Sequence, residues 1–250
     1  MKTEKSNSLI IKIAAIGLAS VMANIGLASC SRIPGSSNNT EVPTEINVVD
    51  VSNDEISNAV ITGGWKTAED QQITKEQKAI FDKAMDKLVG VKYEPVAYLA
   101  SQIVSGTNHC FLCKATVVRP GAASHYTLVY IYENLKNECK ILDIKDIAIP
   151  GTSVGNKPLG GFAFAEDPAI TPEIASALDK ATATKLGARY EPVANIGSQV
   201  INGINYIILC KVTAVAPGAT TNYAIVQIRE TIDGECTITE VTDIVISAGN

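Results

Sequence analysis

The 250-residue chain has little of what most chemistries require. It holds two histidines, one tryptophan and three methionines, and no stretch dense in lysine or arginine. Past residue 30 no apolar run approaches the ~20 residues that a bilayer crossing needs. The net charge of −5 and pI near 5.2, without a basic run, exclude a phosphate-backbone partner, so nucleic acid is not expected. The two histidines, His109 and His125, become Tyr206 and Asn222 in a second copy of the surrounding sequence. No histidine-based catalytic or metal centre is therefore maintained, and neither an enzyme nor a cofactor is expected.

What is present begins with an export segment. Lys2, Lys5 and Lys12 precede an apolar stretch from Ile13 to Ile25, and Leu27-Ala28-Ser29-Cys30 follows. That ending resembles a bacterial lipobox, in which cleavage before Cys30 exposes the cysteine for lipidation. Residues 1–29 then read as a lipoprotein signal peptide, and loss of the leader takes the net charge to about −7. Residues 30–62, rich in Ser, Asn and Pro at their start, read as the lipidated cysteine and a flexible tether. Membrane attachment through Cys30 is expected. Ser31 fits outer-membrane sorting, on the periplasmic face or the cell surface.

Compared with itself, the chain matches at a constant offset of 97 without gaps, at roughly 38 of 86 positions. Tyr93-Glu94-Pro95-Val96-Ala97 falls on Tyr190-Glu191-Pro192-Val193-Ala194, and Cys139 falls on Cys236. The repeats define units at 63–150 and 160–250, joined by a Gly/Pro-rich linker at 151–159. In each, Thr74 or Thr171 precedes an apolar stripe at helical spacing (Ile80, Phe81, Ala84, Met85, Leu88; Ile174, Leu178, Ala181) that stops near Gly90 or Gly187. Alternating segments at 92–102, 107–118, 125–133 and 139–149 predict strands, and Asp233-Gly234 marks a hairpin turn. The expected fold is α+β: in each unit one helix packs on an antiparallel sheet of four to five strands, whose other face is wet.

Gln102-Ile103-Val104-Ser105-Gly106, repeated as Gln199-Val200-Ile201-Asn202-Gly203, lies between the first two of those strands. It resembles the Q-x-V-x-G first hairpin of cystatins, and Gly64 and Gly161 stand where that family carries a glycine ahead of its helix. Pro120-Gly121 and Pro217-Gly218 stand where a second hairpin usually reads Pro-Trp. The resemblance covers 64–149 and 161–246 and implies two tandem cystatin-like domains. It further implies a non-covalent wedge of Gly64, Gln102–Gly106 and Pro120-Gly121, with Gly161, Gln199–Gly203 and Pro217-Gly218 in the second unit. Such a wedge blocks the cleft of a papain-like cysteine protease, which would be the partner of a monomeric, tethered inhibitor. The alternative is a non-inhibitory envelope or adhesion module on the same fold. Two departures stand out: Ser105 and Asn202 replace the family's alanine, and the second-hairpin tryptophan is missing. Trp65 and Phe162 either compensate at the far end of the wedge or pack under the helix.

Three features look chemical. Gly151-Thr152-Ser153-Val154-Gly155 matches G-x-S-x-G but lies in the linker, without the strand and helix that a nucleophile elbow needs. Cys110 and Cys113 form C-x-x-C mid-strand, where residues three apart point to opposite faces, so neither zinc nor redox use is expected. The repeated pairs Cys113/Cys139 and Cys210/Cys236 suit disulfides in an exported protein, but an intervening strand sets them apart, and both outcomes stay open. Glu69-Asp70 and Glu166-Asp167 recur ahead of each helix and suit its N-terminus.

Overall fold

The computed structural model describes residues 64–149, 153–154, 157–158 and 161–248. The signal segment, Cys30 and the tether lie outside the described residues. In chain order the elements are β1 (Trp65–Thr67), α1 (Lys75–Met85), β2 (Val91–Val104), β3 (Gly106–Val117), β4 (Ser124–Glu133) and β5 (Cys139–Asp146). The linker carries the two-residue strands β6 (Ser153–Val154) and β7 (Lys157–Pro158). The second half repeats the order as β8 (Phe162–Phe164), α2 (Pro172–Thr182), β9 (Ala188–Val200), β10 (Ile204–Ala214), β11 (Thr221–Glu230) and β12 (Cys236–Ile244).

Local chemistry accounts for these elements. Thr74 caps α1 by accepting from the Gln77 amide, while the Gln77 side chain reaches back to the Thr74 amide, a reciprocal capping box. Thr171 caps α2 ahead of Pro172, whose missing N–H costs nothing at the first helical position. Asp70 and Asp167 stand just ahead of the helices. Each accepts the amide two residues on, Gln72 or Ala169, and so shapes the turn before the helix.

Within each five-stranded sheet the strands pair antiparallel in sequence order, β1-β2-β3-β4-β5 and β12-β11-β10-β9-β8. The fold differs from the expected one. The chain is mostly β, two five-stranded sheets stacked as a sandwich with two 11-residue helices, rather than two α+β cystatin-like domains. The reason lies on the face expected to be wet. Ala97, Leu99, Cys110, Leu112, Tyr126 and Leu128 of the first sheet share one core with their repeat-mates Ala194, Ile196, Ile207, Leu209, Tyr223 and Ile225. The opposite faces carry separate cores under the helices, Phe81 with Phe111, Cys113, Val129 and Ile131, and Ile174 with Leu178, Ile208, Val226 and Ile228. Central strands buried on both sides read as continuous apolar runs, as Cys110-Phe111-Leu112-Cys113 and Ile207-Ile208-Leu209-Cys210 do.

The sheets are joined by polar contacts whose donors are repeat-mates. Lys114 donates to the Glu166 carbonyl and lies 2.9 Å from its carboxylate, while Lys211 donates to the Glu69 carbonyl at 2.8 Å. Tyr126 donates to Ala165 O and Tyr223 to Leu99 O, each at 2.9 Å.

Candidate functional site

The antiparallel order places the β2–β3 and β4–β5 turns at one end of the first sheet. The β1 register Trp65↔Gln102 adds Gly64 to that end. The β9–β10 and β11–β12 turns and Gly161 are the equivalents in the second sheet.

Within the β2–β3 hairpin, Val104 pairs with Gly106 and leaves Ser105 at the tip. Gly106 has φ +132°, and a Cβ there would collide with the Glu133 carbonyl and with the Tyr132 ring at 2.8 Å. Gly203 repeats this with φ +116° against the Glu230 carbonyl. Only glycine lets the strands close this way. Tyr132 Oη donates to Ser105 O at 2.6 Å, and Arg229 Nη2 donates to Asn202 O at 3.4 Å. Asn202 itself is left-handed, with φ +46°.

The glutamines are also structural. Gln102 Oε1 accepts from its cross-strand partner Asn108 at 2.8 Å, and Gln199 Oε1 from Asn205 at 3.3 Å. Beside the polar tips Ser105 and Asn202, apolar side chains also face outward. Ile103 and Val104 are 48 % and 38 % exposed, Val200 and Ile201 70 % and 43 %.

The β4–β5 turns complete the end. The Asn137 amide bonds Asn134 O with Asn137 at φ +59°, and the Gly234 amide bonds Thr231 O with Gly234 at φ +81°. That geometry thrusts Leu135 and Ile232 into solvent, 84 % and 79 % exposed. These two residues, 97 apart, did not emerge as site residues from the sequence. Asp233-Gly234 signalled the turn, and the apolar Ile232 beside it was the available clue.

Pro120-Gly121 and Pro217-Gly218 are not brought to this end. They lie in the β3–β4 and β10–β11 connections, beside the start of β2 and β9, where the Val118 amide bonds Gly90 O and the Val215 amide bonds Gly187 O. β3 itself, from Gly106 to Val117, spans roughly 36 Å at ~3.3 Å per residue, and Pro120 lies past its far end. Trp65 and Phe162 neither extend the wedge nor pack under a helix. Both pack into the core between the sheets, Trp65 edge-on to Tyr130 at 5.7 Å.

Beneath the first hairpin, Tyr98 Oη lies 2.9 Å from His109 Nδ1. His109 Nε2 stands 3.5 Å from Glu133 Oε2, an ion-pair distance without hydrogen-bond geometry. Burial holds the imidazole below its ordinary pKa, against the pull of Glu133. In the sister hairpin Tyr206 donates to Glu230 at 3.0 Å instead.

The five cysteines among the described residues are free. Cys110 faces the inter-sheet core and Cys113 the helix, as their spacing requires. Burial pushes the Cys110 and Cys210 thiols up to about 12 and Cys113 well above its usual value, which leaves no thiolate nucleophile at neutral pH. Ser153-Val154 sits in β6, paired with β7, and the rest of the G-x-S-x-G segment lies outside the described residues. Among the described residues no cluster of three metal-ligating side chains occurs, and no helix is long and apolar enough to cross a membrane. No protein-family model and no curated sequence matches the chain.

Proposed function

We propose that the protein is a lipid-anchored inhibitor that docks its hairpin ends, without chemistry, into the cleft of a papain-like cysteine protease. The observation that carries this reading is the convergence, in both halves, of glycine-locked hairpins that hold apolar side chains in water. Exposed aliphatic tips are costly unless a partner covers them, and burying each contributes about 1.5–3 kcal/mol. A hairpin already fixed by its sheet loses little freedom on docking. The resemblance of Gln102–Gly106 and Gln199–Gly203 to the cystatin hairpin supports the choice of partner. Leu135 and Ile232 take the second-contact role assigned from sequence to Pro120-Gly121 and Pro217-Gly218. The lipobox-like Leu27–Cys30 supports anchoring at Cys30 and an outer-membrane location.

The test is a titration of residues 31–250 against papain. Inhibition at micromolar protein or below is expected. The combined substitutions Ile103→Asp, Leu135→Asp, Val200→Asp and Ile232→Asp, all at exposed positions, should weaken it at least a hundredfold with the fold intact. Lack of inhibition by the folded wild type refutes the protease reading. The envelope-module reading, which the displacement of Pro120-Gly121 from the hairpin end favours, then takes its place.

A further inference from the structure

We propose that the inner sheet face of each half binds a second copy of this chain. Two chains would exchange halves across the connector at residues 150–160 and close into an assembly bearing four hairpin ends.

The inference rests on the symmetry of the inter-sheet contacts. Lys114 reaches Glu166 as Lys211 reaches Glu69, and both partners are related by the offset of 97. Tyr126 and Tyr223, also repeat-mates, each donate across the interface to a main-chain carbonyl of the facing half, Ala165 O and Leu99 O. The shared core is built from matched positions. In the lysine contacts residue i of one half meets j of the other, and j of the first meets i of the second, while the tyrosines match as donors and take different acceptors. This is the pattern of a two-fold, self-complementary interface, here closed within one chain.

Nothing in such an interface distinguishes the sister half on the same chain from the sister half on another. The faces are not identical, however. Cys110 occupies the position that Ile207 holds in the second half, and Trp65 the position of Phe162. First-half to second-half pairing keeps every native contact, whereas pairing of two first halves does not, so exchange is the form the partner takes. The connector sets the balance. A sister half tethered through so short a connector stands at an effective concentration in the millimolar range. The one-chain form prevails when dilute, and the exchanged form appears as chain concentration approaches that value. Such crowding is what confinement to a membrane surface would supply.

The test uses the full chain. Nitrogen-15-labelled and unlabelled protein are unfolded together, co-refolded at millimolar concentration and separated by mass. They are then treated with a zero-length carbodiimide, which Lys114 Nζ and Glu166 Oε2 at 2.9 Å are placed to satisfy. A double-mass fraction is expected in which Lys114–Glu166 cross-linked peptides combine light and heavy halves in the proportion random pairing gives. Glu166→Gln should abolish that peptide while leaving the double-mass fraction. Absence of a double-mass species, or one whose Lys114–Glu166 peptides are all of a single isotope, overturns the proposal. Neither result depends on protease inhibition.

Discussion

At His109 the two halves differ in chemistry, Tyr206 standing at the repeat position. The His109 ring is held by Tyr98 from β2 and faces Glu133 from β4. Glu133 is in turn near Cys139 of β5, which also feels Lys83 of α1. Because burial depresses the folded pKa, the unfolded chain binds the proton first as pH falls through about 6.5. The stability that neutral His109 permits is therefore present above that pH and lost on acidification, down to the folded pKa. His109→Tyr, which copies Tyr206, removes this dependence and supplies a hydroxyl for Glu133. Denaturation midpoints at pH 7.5 and 5.5 should fall further for the wild type than for the variant. An equal fall would place the acid sensitivity elsewhere.

The hairpin is the element in which sequence and structure meet most closely. Q-x-V-x-G was legible because it repeats, but the reasons for its fixed positions are internal. The glutamine clamps the partner strand through Asn108 or Asn205, and the glycine admits a neighbouring carbonyl. Gly106→Ala and Gly203→Ala should each cost about 1–3 kcal/mol through backbone strain, with additional cost from the collisions with Glu133 and Glu230. Urea denaturation would measure it, and a neutral effect would mean the turn relaxes freely. Glycine substitutions here disturb the fold and are poor probes of binding, so Ile103, Leu135, Val200 and Ile232 are the positions that isolate it. The second hairpin was not legible as a contact element. A strand count from sequence does not say which turns share an end until the pairing order is known.

At the scale of the molecule, the shared core couples the two halves. Leu112 and Leu209 are fully buried between the sheets. Leu209→Ala should cost about 2–5 kcal/mol. It should also lower amide protection in β3 and β4 of the first half, not only in β10 and β11, when followed by hydrogen exchange. Protection lost from the second half alone would mean that the sheets unfold independently. The same packing explains why the expected wet face was wrong. Alternation along β4 and β11 separates two faces, but both carry apolar residues, Tyr126, Leu128 and Tyr130 on one and Val129 and Ile131 on the other.

The sequence by itself determined the duplication, the order of each helix and the four strands after it, the helix caps at Thr74 and Thr171, and the hairpins, because each depends on residues a few positions apart or on direct repetition. The absence of any long apolar run past residue 30 likewise needed no structure. Only the tertiary arrangement decided that the second sheet face meets another sheet rather than water. It also decided that Leu135 and Ile232, not Pro120 and Pro217, share the hairpin ends, and that Trp65 and Phe162 serve the core. Those outcomes depend on contacts between residues as far apart as Leu99 and Tyr223. A period-two pattern specifies a face, and what covers that face is a property of the assembled chain.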